Sequence, residues 1–180
     1  MLSRVAPAFL LLAGCLQIHL GKDDGIEPLT FDQTVSGLAP QLVPAPMGAR
    51  EVNLTETLVV IDAASAADDL DRFGPDKIGA IRGVNLSVEE ETFDGLDLTR
   101  APKPTLFIGG AVLAPDDDSV DLDDDTVNTV RADLLTPQAV AIPFTMRFTI
   151  PADAPDALGP KIHVHMIFQP TLTVDIGHSW

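Results

Sequence analysis

The 180-residue chain has one cysteine, one tryptophan and no tyrosine, and only 5% of it is aromatic. A single cysteine cannot close an intramolecular disulfide, so the fold must stand on its own core. The shortage of aromatic rings argues against a platform on which bases or sugars stack. Cations are scarce too: eleven Lys and Arg against 27 Asp and Glu leave a formal charge of −16. Nucleic-acid binding needs clustered Lys and Arg to displace counterions from phosphates, and no nucleic-acid partner is expected. Electrostatic adhesion to anionic lipid headgroups is disfavoured for the same reason. No apolar run approaches the roughly 20 residues that span a bilayer as a helix. The Gly-x-Ser-x-Gly elbow, the His-Glu-x-x-His helix, the P-loop and the dinucleotide fingerprint are all missing, so catalysis is not expected.

What is present begins at the N-terminus. Arg4, the apolar run 5–13 and the small residues Ala13 and Gly14 form the three parts of an export signal, too short to be a membrane span. Within it Leu12, Ala13, Gly14 and Cys15 resemble the lipobox of bacterial lipoproteins. The resemblance covers the signal alone. It implies cleavage before Cys15, a thioether-linked diacylglycerol on its sulfur and an acylated amino group, the chains being of the palmitate type. Two or more acyl chains anchor a protein stably where one does not. The resemblance also implies a destination: Asp directly after the cysteine favours retention at the inner membrane, whereas Leu16 implies delivery to an outer membrane where the envelope has one. The plainer alternatives are an ordinary cleaved signal with an incidental cysteine, or a cytosolic chain with an apolar start.

This gives an organisation of signal peptide 1–14, lipidated tether 15–28 and a single domain 29–180. Without residues 1–14 the chain has 166 residues and, having lost Arg4, a charge of −17. That length suits one domain.

Period-two alternation of apolar and polar residues marks the strands. It predicts an edge strand near 31–35, an extended Pro-rich segment to about residue 48, and strands over 51–62 and 79–93, the latter with Glu89 to Glu91 at its exposed end. A buried strand over 105–113 should bend at Gly109 and Gly110. Further strands fall at 144–150, 162–168 and, after an interruption at Pro170, 172–176. A helix is predicted over 65–73, capped by Ser65 and stopped by Gly74 and Pro75. Over 126–135 the helical spacing of Val127, Val130 and Leu134 competes with strand-favouring Thr and Val, and a short helix is preferred. The fold class is therefore all-β: an antiparallel β-sandwich of seven or eight strands with one or two short helices. Asn53-Leu-Thr55 and Asn85-Leu-Ser87 match the glycosylation pattern by chance. The alternation from Leu172 to Trp180 faintly resembles the last strand of an outer-membrane barrel, which this tyrosine-free chain does not otherwise suit.

Two constellations carry chemistry. Residues 116–125 hold seven Asp in ten positions, a crowding that a hard cation would relieve. Asp121, Asp123 and Asp125 have the one-three-five spacing that opens an EF-hand-type Ca²⁺ loop, but Thr126 stands where the turn glycine belongs and Ala132 where the bidentate Glu belongs. The plainer reading is a solvated acidic loop. His163 and His165, two apart on a strand, share one face. They could ligate Zn²⁺ or Cu²⁺ with His178 or His19 completing the set; the plainer reading is a pair of surface imidazoles. The expected protein is thus a lipid-anchored envelope module that binds or supports a partner without catalysis and holds no cofactor. A cation-binding lipoprotein, for Ca²⁺ or a transition metal, is the alternative. A cell-envelope hydrolase is a third, since no spacing singles out two cooperating carboxylates among 27 acids.

Overall fold

Strands that alternate in polarity bury one face and solvate the other, and among the described residues ten strands, most of them of this kind, form two antiparallel sheets packed face to face. The computed structural model describes residues 16–38, 41–61, 80–135 and 140–176. The strands are β1 (Leu16–Leu20), β2 (Leu29–Ser36), β3 (Val43–Pro44), β4 (Arg50–Ile61), β5 (Ile81–Leu96), β6 (Thr105–Ile108), β7 (Ala111–Leu113), β8 (Ser119–Asp121), β9 (Val140–Ile150) and β10 (Leu158–Ile176); among the described residues there is one α-helix, α1 (Asp124–Leu135), after β8, and single 3-10 turns at Lys22–Asp24 and Pro46–Gly48. The first sheet has the order β1-β10-β5-β8, with β2 also paired to β10; the second has the order β3-β4-β9-β6-β7. The chain is an all-β, sandwich-like fold.

Its core lies between the inner faces. Ile162, Val164, Met166 and Phe168 of β10 are completely buried, as are Phe144 and Met146 of β9. Phe144 lies 5.1 Å from Phe31 and 6.1 Å from Phe168, ring centre to ring centre, and Phe93 meets Phe148 edge-on at 6.4 Å, so the aromatic side chains tie the sheets together. Burying each such side chain contributes about 1.5–3 kcal/mol.

Three expectations need correction. Residues 16–28 are not a tether: β1 pairs with β10 from Leu16↔Ile176 to Leu20↔Leu172, and Leu20 and Ile26 are buried. Leu16, Ile18 and Leu20 do alternate with Gln17 and His19, but five residues before a glycine are too few to stand out from the polar run that follows. Pro170 does not interrupt β10. That strand exchanges one outer partner for another there, pairing with β2 up to Phe168 and with β1 from Leu172. Residues 169–171 have β5 alone beside them, which leaves room for a residue without an amide donor. The buried Gln169 closes the gap, its Nε2 donating to the carbonyls of Ile26 (3.1 Å) and Pro170 (3.0 Å). Finally, Glu89 to Glu91 lie within β5, which continues to Leu96; the ladder shifts register there, between Ile167 and Phe168.

Elsewhere the glycine pair makes a sharp reversal joining β6 to β7, with φ of 51° at Gly109 and 82° at Gly110. The helix expected over 126–135 is α1, with Val127 and Val130 buried. The helix expected over 65–73 lies outside the described residues.

Candidate functional site

Turning Ile162, Val164 and Met166 into the core obliges His163 and His165 to face outward. The antiparallel registers then decide their neighbours. His163 stands between Thr34 of β2 and Asp94 of β5, His165 between Asp32 and Thr92, and Ile167 between Thr30 and Glu90. Gly95 lets β5 follow this path: its φ is 103°, and a Cβ at that position would collide with the Lys161 carbonyl. The ladder shifts register between Leu158 and His163 at the same place, which sets Asp94 beside His163.

Asp32 receives both rings. Its Oδ1 lies 3.0 Å from His163 Nε2 and its Oδ2 2.9 Å from His165 Nδ1. A carboxylate has only lone pairs to offer, so each ring nitrogen here must carry the proton and donate it. The bonds therefore fix opposite tautomers in the two neutral rings, leaving Nδ1 unprotonated in His163 and Nε2 in His165. His163 Nδ1 faces Asp94 Oδ2 at 3.6 Å, lone pair against negative charge, and a second proton on the ring relieves that repulsion. Bonding to Asp32, with Asp94 beyond it, holds the His163 pKa above its ordinary value near 6.5. The two imidazole bonds, that from His163 first, hold the Asp32 carboxyl below its ordinary range.

The result is a four-group array across three strands: Asp32, His163, His165 and Asp94. It can store and release protons, and its carboxylate orients two imidazoles in the way that outer-shell carboxylates orient metal-ligating histidines. Among the described residues, however, no three His, Cys, Asp or Glu side chains are disposed around a common point as metal ligands. Asp32 is engaged in bridging the two rings.

His19 does not complete the set. It lies on β1, with Nδ1 3.1 Å from Thr173 Oγ1. His178 falls outside the described residues, as do Leu12, Ala13, Gly14 and Cys15.

The acidic stretch is dispersed over local tasks. Asp117 Oδ2 accepts the Ala114 amide at 3.0 Å, and Asp121 Oδ1 accepts Asn85 Nδ2 at 2.8 Å across the β5–β8 pair. Asp123 caps α1: its Oδ1 accepts the Thr126 amide at 2.8 Å while its own carbonyl accepts that of Val127 at 2.9 Å. Hydrogen bonding from Thr126 holds the Asp123 carboxyl below its ordinary range. Asp124 and Asp125 follow in the first turn, where the helix dipole favours negative charge. The Thr126 hydroxyl donates to the Gly109 carbonyl at 2.5 Å, joining the helix start to the β6–β7 turn.

The two partners that complete the array, Asp32 and Asp94, are invisible to sequence spacing, being 131 and 69 positions from His163. Their only signal is that each occupies an outward position of its strand. No protein family, curated protein or solved structure matches the chain, so the array is read on its chemistry alone.

Proposed function

We propose that this chain is a lipid-anchored, exported protein of a bacterial envelope that binds a partner without catalysing a reaction, and that the outer face of the first sheet around His163 and His165 is its binding face. The anchor reading rests on Leu12-Ala13-Gly14-Cys15 at the end of an export-type signal, where lipidation gives the chain's lone thiol a use. The observation that carries the binding reading is the four-group array: ionisable side chains from three strands converge on an outward face whose neighbours are mostly threonines. Where the envelope has two membranes, Leu16 favours the outer one. Intact mass and detergent partitioning of wild type beside Cys15→Ser test the anchor. A chain beginning at Cys15 with added acyl mass, both lost in the variant, is expected; an unmodified soluble wild type defeats the reading.

A second reading is a cation-binding lipoprotein. Its support is that Asp32 holds both imidazoles against one carboxylate, so a transition-metal ion such as Zn²⁺ or Cu²⁺ could take the place of the bridging protons. Binding would then weaken as pH falls and disappear in His163→Ala. A Zn²⁺-dependent rise in Tm that survives this substitution would place the ion elsewhere, and no rise at all would remove the metal reading from the array. The calcium reading of Asp121, Asp123 and Asp125 has less support, because at least two of these carboxylates are already committed to Asn85 and to the helix cap. A Ca²⁺-dependent rise in Tm, abolished by changing all three to Asn, would restore it.

A further inference from the structure

We infer that the corner of the first sheet where β1 meets the end of β10 is held against the bilayer headgroups, and that the domain stands on that corner with the His163–His165 array at the far end of β10, away from the membrane. The inference rests on the lipid-anchor reading of Cys15 and adds where the domain sits once it is anchored.

Its basis is the missing slack. A disordered segment over 16–28 could stretch to about 45 Å and let the domain wander. Instead the ladder begins at Leu16↔Ile176, and Leu16 follows the anchored residue by one Cα–Cα step of about 3.8 Å. The next rung is bolted by side chains: Asp175 accepts Gln17 Nε2 at 3.1 Å on one oxygen and Arg82 Nε at 2.6 Å on the other. Gln17, Arg82 and Asp175 come from β1, β5 and β10, so the first rungs of three strands move as one corner. That corner lies within roughly 10 Å of the acyl-bearing residue. At the corner Arg82 offsets Asp175, while the chain without residues 1–14 carries −17. Anionic headgroups therefore repel the flanks of the domain, which disfavours lying flat. From Ile176 to His163 is 13 positions along a continuous strand, about 43 Å at a strand's rise per residue.

The test uses the full acylated protein in vesicles of phosphatidylethanolamine and phosphatidylglycerol carrying a headgroup-linked nitroxide quencher. Because Cys15 is the only cysteine and the lipid consumes its thiol, one added cysteine takes a fluorophore uniquely. His19→Cys, exposed on β1 and outside the Gln17–Asp175–Arg82 tie, marks the corner and Lys161→Cys the far end. Quenching at residue 19 is expected to exceed that at residue 161 at least twofold, and ten Gly/Ser residues inserted between Cys15 and Leu16 should abolish the difference. Equal quenching at the two positions, no quenching at either in acylated protein, or indifference to the insertion would each overturn the inference while leaving the anchor intact. Absence of acyl mass would defeat the anchor reading, and this inference with it. Circular dichroism of each labelled protein checks that the sheet has formed.

Discussion

The acidic stretch 116–125 and the histidine pair 163/165 look equally suggestive as sequence, and they fold into opposite things. The aspartates sit close together in the chain, and Asp117 and Asp123 find partners close by, a turn amide and a helix start; Asp121 alone of those named reaches another strand, to Asn85, 36 positions away. The named bonds of Asp117 and Asp123 span three residues. The histidines are also neighbours, yet their partners are 131 and 133 positions away on β2, and 69 away on β5. Local crowding of one residue type is most easily absorbed by local structure. Convergence of different ionisable types over long separations has to be built by strand register, and is the better indicator of a site.

Matched glycine substitutions should break both regions with the largest effect. Gly95 and Gly110 have positive φ, and each would drive a Cβ into a neighbour, the Lys161 carbonyl and the Asp123 carboxylate respectively. Ala at either is expected to cost about 1–3 kcal/mol in urea unfolding. Only Gly95→Ala should also alter the His163 titration followed by NMR, because only that glycine sets Asp94 beside the ring. Equal effects of the two variants on His163 would show that the array does not depend on this register.

A smaller effect is expected from pH. The raised folded-state pKa of His163 means that its bond to Asp32 stabilises the fold fully below the unfolded value near 6.5, and that this contribution is lost as pH rises through the folded value. The lowered pKa of Asp32 keeps its carboxylate charged in that window; its own contribution disappears only as pH falls through its folded value. The Tm of wild type should therefore exceed that of Asp32→Asn most at pH 5.5, and the gap should narrow by pH 8.5. A gap constant across that range would mean that the array's proton is not linked to folding.

The smallest effect should come from the helix cap. Asp123→Asn is expected to be nearly silent in thermal unfolding and Asp123→Ala measurably destabilising, since Asn caps as well as Asp and Ala does not. If Asn were as harmful as Ala, charge rather than capping would be the role of Asp123, and the contrast between the two regions would weaken.

Much of the fold was legible. The alternation of Phe144, Met146, Phe148 and Ile150, and of Ile162 to Phe168, gives the central strands and their buried faces, because period two is all that a half-buried strand requires. The helix at 124–135 was legible from Val127 and Val130, although its cap, Asp123, also has the spacing of a candidate ligand. β1 was not, being short and followed by a polar run, nor was the passage of β10 through Pro170, which depends on a change of partner that no local pattern encodes. In the site, the outward orientation of His163 and His165 was legible and the identity of their partners was not. With 27 acids in the chain, only the register picks out Asp32 and Asp94.

The central place of β10 also bears on how the chain acquires its structure. β1, β2 and β5 all form ladders with this strand, and it is the last strand described. Emerging in order from a ribosome or an export channel, β1 and β2 have no described partner strand in this sheet and β5 has only the short β8 until residues 158–176 follow, and the earliest rung then closes a loop of 160 residues. Such pairings make folding slow. Here they also make it late, so the first sheet cannot lock before nearly the whole chain is through, and a channel that admits only extended polypeptide would find it still threadable.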